Sequence, residues 1–286
     1  MQWLPIESSD GDVIDCVPVD ISNQPVDRPL IKNHDIQKMS RNSFNTKKSI
    51  TQSWQLDGSC PYGTIAVKRT TQEEIVRAHS INNFGINSVQ KSSFQATSKS
   101  ELNTVTTSNG FRQYATVKVD EGEYYGAVAT MSIWAPNVRP GESSGSQVWV
   151  VGGSASDLNV IVAGWHVLPE LYGDNKTRFY TYWTTDSLGS TGCFNLLCTG
   201  FVQTNNKFAL GAPFTHLSNL DGLQSEFDVI IYKGHKDGWF LQLDDFILGY
   251  WPFSLFTSLK NNPASRIEWG GIVVNSQIDG KQSTTT

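Results

Sequence analysis

Residues 158–198, LNVIVAGWHVLPELYGDNKTRFYTYWTTDSLGSTGCFNLLC, decide how the rest of the chain is read. The first ten alternate as a strand does, with Leu158, Val160, Val162, Gly164 and His166 on one face and Asn159, Ile161, Ala163, Trp165 and Val167 on the other. Pro169 ends this strand. Tyr172-Gly173-Asp174-Asn175 supplies the glycine and Asx residues that tolerate positive φ, so the chain reverses there. A second strand, Arg178–Thr184, follows, built from aromatic and β-branched residues that suit a pleated surface. A loop holding Cys193 and Cys198 closes the unit.

Working outward, the C-terminal half continues as strand signals separated by turn clusters. Ala115, Val117 and Val119 alternate with Thr116, Lys118 and Asp120, and Ala127, Ala129, Met131 and Ile133 do the same with Val128, Thr130, Ser132 and Trp134. Asp120-Glu121-Gly122 and Arg139-Pro140-Gly141 read as turns. FDVIIYKG, GWFLQLDDFILGYW and RIEWGGIVVNS carry the pattern on, and residues 252–259 alone suggest a helix, from Pro252 at its first turn and the spacing of Phe253, Phe256 and Leu259. Many short strands with few helices predict an all-β fold, an antiparallel β-sandwich over residues 111–286. Residues 1–87 read as a small separate module of short apolar runs and prolines. In it Thr71-Gln72-Glu73-Glu74 forms a capping box that starts a short helix to about residue 79. Residues 88–110 are polar and are expected to be a linker.

At 286 residues the chain is long enough to bury a substantial core. A net charge of −5 without a basic stripe argues against nucleic acid as a partner. No apolar run is long enough to span a bilayer, and MQWLPIESSDGD lacks the basic head and apolar core of a signal peptide. Cys16, Cys60, Cys193 and Cys198 form two pairs by position, which suits two local disulfides in an oxidising compartment better than four buried thiols, and zinc-ligand spacings are absent. Asn175-Lys176-Thr177 is a glycosylation acceptor on the expected turn.

No phosphate loop, H-E-x-x-H or G-x-S-x-G occurs, and the histidines at 34, 79, 166, 216 and 235 are scattered. His166 on a strand face reads as a structural residue, since a base needs a positioned partner. Trp149, Trp165, Trp183, Trp239 and Trp251 suit core packing better than a groove for sugar or peptide.

The phrases LNVIVAGWHVLPELYGDNKTRFYTYWTTDSLGSTGCFNLLCTGFVQTNN, GYWPFSLF, IEWGGIVVNS and the terminal TTT resemble successive landmarks of the neprosin family of plant glutamic peptidases. DGDVIDCVPVDISNQPVDRPLIKNH and GSCPYGTIAVKR resemble that family's activation peptide. The resemblance implies a secreted precursor whose inhibitory N-terminal propeptide module, packed on the sandwich, is removed on maturation, and a catalytic antiparallel sandwich, a fold shared with lectins, that cleaves after proline in acid without cofactor or metal. It further implies Cys16–Cys60 and Cys193–Cys198 pairing, and more strands beyond Thr286 than this sequence holds.

The departures bear on activity. Where the family places its two glutamates, this chain has Val162 and Ile272, and neither can exchange a proton as a general base or acid must. Glu268 shares the face of Ile272 but lies four residues, about 13 Å, along the strand, too far to replace it directly. The expectation is an inactive peptidase homologue whose groove, including Gly164, His166, Glu268 and Gly270, retains binding of peptide or a proline-rich protein. An active acid endopeptidase using Glu268 with another carboxylate, and a carbohydrate-binding sandwich, are the alternatives.

Overall fold

The computed structural model describes residues 5–19, 50–84, 101–107, 110–154, 157–186 and 191–275. The N-terminal module contains β1 (Ile6–Glu7), β2 (Val13–Pro18), a 3₁₀ turn at Ser53–Leu56, β3 (Thr64–Lys68) and α1 (Gln72–Phe84). Its strands form one antiparallel sheet in the order β1-β2-β3. The Cys16–Cys60 disulfide lies inside it. The capping box forms as read: Thr71 Oγ1 accepts from the Glu74 amide at 3.1 Å, and Glu74 Oε2 accepts from the Thr71 amide at 2.9 Å. Satisfying two orphan amides at once sets the helix start, and α1 runs on to Phe84 rather than ending near residue 79.

The rest is β4 (Glu101–Thr107), β5 (Gly110–Tyr124), β6 (Gly126–Ser132), β7 (Ser143–Gly152), β8 (Asn159–Val167), α2 (Pro169–Tyr172), β9 (Arg178–Thr184), β10 (Cys193–Phe194), β11 (Val202–Gln203), β12 (Glu226–Lys233), β13 (Gly238–Leu243), β14 (Phe246–Pro252), α3 (Ser258–Asn261) and β15 (Ala264–Asn275). A seven-stranded sheet, β10-β9-β8-β7-β15-β5-β4, faces a five-stranded one, β11-β14-β13-β12-β6. Every pairing is antiparallel. The main core lies between them. Ile161, Ala163, Trp165 and Val167 of β8, Val148 and Val150 of β7 and Phe179 and Trp183 of β9 meet Phe227, Val229 and Ile231 of β12 and Trp239, Leu241 and Leu243 of β13. Burying this much aromatic and branched surface is the main stabilising term of the sandwich. β6 is an edge strand, and the indole N–H groups of Trp269 and Trp165 on the facing sheet donate to its Val128 and Ser132 carbonyls at 3.2 and 2.9 Å. Unpaired edge carbonyls invite association, so these two bonds blunt the edge.

Three expectations need correction. The linker expected over 88–110 includes β4, whose seven residues pair with β5, so backbone hydrogen bonds override its polar composition; residues 88–100 lie outside the described residues. The turn expected at Asp120-Glu121-Gly122 is a bulge within β5, with Glu121 at φ 62° where the register against β15 shifts. The helix expected over 252–259 splits into a 3₁₀ turn, Phe253–Leu255, and α3, because Phe256 is extended (φ −105°, ψ 151°) as it enters the core. The turn at Arg139-Pro140-Gly141 forms, closed by the Glu142 amide on Arg139 O at 3.0 Å.

Candidate functional site

The second face of the seven-stranded sheet, away from the main core, carries Val162, Gly164, His166, Glu268, Gly270 and Ile272. Antiparallel register places directly paired residues on the same face. Val162 pairs with Trp149, which pairs with Glu268, which pairs with Lys118. One row along, Gly164, Gln147, Gly270 and Thr116 are paired, and beyond them His166, Gly145, Ile272 and Tyr114. Val162 and Ile272 therefore share this face but stand diagonally, two strands (roughly 10 Å) and four residues (roughly 13 Å) apart. Directly across from Val162 is Glu268; directly across from Ile272 is His166.

The face is not uniformly open. Val162 is 1% exposed and packs with Trp149, Val151, Val160, Leu171, Tyr180, Tyr182 and Phe194, while Ala78 of α1 lies against the same cluster. All nine residues of β8 are buried, so both its faces are covered, unlike a strand with one wet side. Ile272 and Gly270 are partly exposed. Both glycines have a spatial reason: a Cβ at Gly164 would stand 2.1 Å from Ser146 O, and one at Gly270, where φ is +152°, would stand 2.1 Å from Ala115 O.

Glu268 is 4% exposed, and its Oε2 has no hydrogen-bond partner. Burial raises its pKa above the usual carboxylate range; a hydrogen bond from Thr116 and the charges of Arg266 and Lys118 oppose this, and Asp120 adds to it. His166 is 6% exposed and stacks on Tyr180 with ring centroids 3.8 Å apart. Burial, with the charge of Arg178 second, pushes its pKa down to about 3. Its Nε2 lies 3.1 Å from the Tyr172 hydroxyl, which accepts from Asn195 Nδ2 at 3.0 Å. The Tyr172 proton is then free to reach Nε2, and the neutral imidazole accepts it. The Tyr180 hydroxyl donates to Gln147 Oε1. This network was not legible in sequence, because Tyr172, Gln147 and Asn195 meet His166 only after α2 folds back and three strands pair.

α2 and the turn after it place a second cluster. Pro169 occupies the first position of α2, and Gly173 ends it at φ 80°. Arg178, 1% exposed, donates from Nη1 to Asp12 Oδ2 and from Nη2 to Asp174 Oδ2, both at 2.7 Å, and lies 4.6 Å from the Tyr172 ring centroid. Asp12 belongs to the N-terminal module, so this buried pair joins module to sandwich. A small cavity beside it is lined by Lys68, Thr70 and Glu74 of the module and Tyr172, Asn195 and Gly211 of the sandwich. Asn175 is exposed, while the Thr177 hydroxyl is buried and donates to Trp134 O at 2.7 Å. Cys193 and Cys198 are bonded within the sandwich, and no described cysteine is free.

Residues 140–286 match the family model described as neprosin, and residues 5–118 match that of the neprosin activation peptide. The chain belongs to the neprosin family. The activation-peptide match extends past α1, through β4 and into β5, which pairs with β15 inside the sandwich. Among solved structures, CG-16, a homodimeric agglutinin from chicken liver, aligns with 52% of this chain and 96% of its own at 11% identity and a TM-score of 0.23. Family membership and the two disulfides are compatible with an extracellular protein.

Proposed function

We propose that this neprosin-family chain is a non-catalytic peptidase homologue, secreted, whose site face binds peptide without cleaving it. The observation that carries the reading is the pair of aliphatic side chains at the positions the family resemblance assigns to the catalytic carboxylates. Val162 sits in an apolar cluster at 1% exposure, and Ile272 is partly exposed on the same face. Hydrolysis needs one group to take a proton from water and another to donate one or steady the oxyanion, and losing either typically slows a reaction about 10²- to 10⁴-fold. The partly exposed Gly270 and Ile272 mark the part of the face open to an extended, proline-containing chain. A glycan on the exposed Asn175 would accompany secretion.

Glu268 favours the competing reading, an acid endopeptidase, because its unpartnered Oε2 and raised pKa suit a proton donor. Asp120, whose charge acts on it, is exposed and paired with Lys118 at 3.3 Å, and the described residues in register with Glu268, namely Lys118, Trp149 and Val162, include no second carboxylate. Digestion of a proline-containing peptide at acid pH decides between them. The unmodified protein is expected to be inert, with post-proline cleavage appearing in Val162→Glu/Ile272→Glu and in neither single variant, since each carboxylate needs the other. Cleavage by the unmodified protein that Glu268→Gln abolishes would overturn the proposal.

A further inference from the structure

We infer that the N-terminal module is a permanent partner of the sandwich, held by a non-covalent seam that survives cleavage of the connection between them. The family match names this region an activation peptide, yet its contacts are those of a shared interior. Ile50 is part of the main core of the sandwich. Gln52, fully buried, uses its whole amide: Nε2 donates to Ala209 O and Ala212 O at 2.8 and 3.2 Å, and Oε1 accepts from the Ala209 amide at 2.8 Å and from Trp54 Nε1 at 2.9 Å. Two backbone bonds flank it, from Ser53 N to Pro213 O at 3.0 Å and from Thr215 N to Thr51 O at 2.9 Å.

The sandwich reaches back in turn. Gln203 Nε2 donates to Ala66 O at 2.7 Å, and Asn206 Nδ2 donates to Cys60 O and Pro61 O at 2.8 and 3.1 Å. Ile14, Cys16, Trp54, Cys60 and Ala66 of the module share one apolar cluster with Ala209 and Ala212. At the other end Arg77 Nε donates to Leu171 O at 2.9 Å. The Gln52 amide is fully paired, while Gln203 Oε1 and the Thr51 and Thr215 hydroxyls are buried without a partner; a buried apolar centre crossed by this many hydrogen bonds resembles obligate rather than transient interfaces.

Acid is a weak lever on such a seam. The module carboxylates paired across it are Asp12, with Arg178, and Asp10, whose Oδ2 lies 3.9 Å from Lys176. The remaining bonds join neutral groups, or run from the Arg77 guanidinium and the Lys176 ammonium to carbonyl oxygens, and neither kind changes protonation between pH 7 and 4.5. Neither disulfide crosses the seam, since Cys16–Cys60 lies within the module and Cys193–Cys198 within the sandwich. The two pieces are thus free to part if the contacts do not hold them.

The test places a recognition sequence for a site-specific protease within residues 88–98 of the full chain, cuts it with that protease, and applies the product to a sizing column at pH 7 and pH 4.5. Because an added protease makes the cut, the result does not depend on whether the groove is catalytic. Both fragments are expected to co-elute at both pH values and to separate in denaturant; a sandwich fragment eluting alone at either pH would overturn the inference. In the cut protein, Gln52→Ala is expected to raise the dissociation rate of the pair at least tenfold. Trp54→Phe, which keeps the packing and removes one bond to Gln52, is expected to raise it severalfold and serves should Gln52→Ala not fold. Unchanged release in the variant that folds would likewise overturn the inference.

Discussion

His166 is held neutral by burial among Tyr180, Tyr172 and Phe194, with the cation of Arg178 nearby, and this gives the fold a pH dependence of definite sign. Its folded pKa of about 3 lies below the value near 6.5 expected in the unfolded chain. Between these values the unfolded state binds a proton that the folded state refuses, so stability falls as pH drops, by about 1 kcal/mol per unit for this group. Glu268 works the other way: its folded pKa is raised, so its contribution is present below the ordinary carboxylate pKa and lost as pH rises through the folded value. In urea unfolding between pH 6.5 and 4, His166→Phe is expected to show a shallower loss of stability with acid than the unmodified protein. Parallel curves would show that His166 does not supply the slope. The strand setting of His166 was legible in sequence, but its burial and its hydroxyl partner six residues on depended on the α2 reversal.

Elements with one dominant local cause were the most legible. β8 follows from strict alternation and from Pro169, and α1 from a reciprocal cap between Thr71 and Glu74. Where two local signals competed, tertiary contacts chose. Phe253, Phe256 and Leu259 have helical spacing, but the core takes Phe256 and Leu259 from separate short turns. β4 has too few apolar residues to announce a strand, and its backbone is paired by β5 regardless. Gly164 tests how tightly β7 and β8 are drawn together, since an added Cβ would meet Ser146 O and the Gln147 backbone. Gly164→Ala is expected to destabilise by about 3 kcal/mol, the upper end of ordinary single substitutions, read as a lowered urea midpoint. A change under about 0.5 kcal/mol would show that the strands part without penalty.

At the scale of the whole molecule, the module and the sandwich share clusters instead of each completing its own. Calorimetry is therefore expected to show one unfolding transition with matching calorimetric and van't Hoff enthalpies; two resolved transitions would contradict a common core. The sequence by itself determined the strand-rich class, the burial faces of β8, the α1 cap and the absence of carboxylates at positions 162 and 272, because each depends on side-chain period or side-chain chemistry within a few residues. Only the tertiary structure decided that Val162 stands opposite Glu268 rather than Ile272, that β4 belongs to the sheet, and that Gln52 and Arg178 bind the module to the sandwich. Those outcomes depend on strand register and on buried polar groups finding partners more than 150 residues away, as Gln52 does with Ala209 and Arg178 with Asp12, and no local pattern encodes which partner that will be.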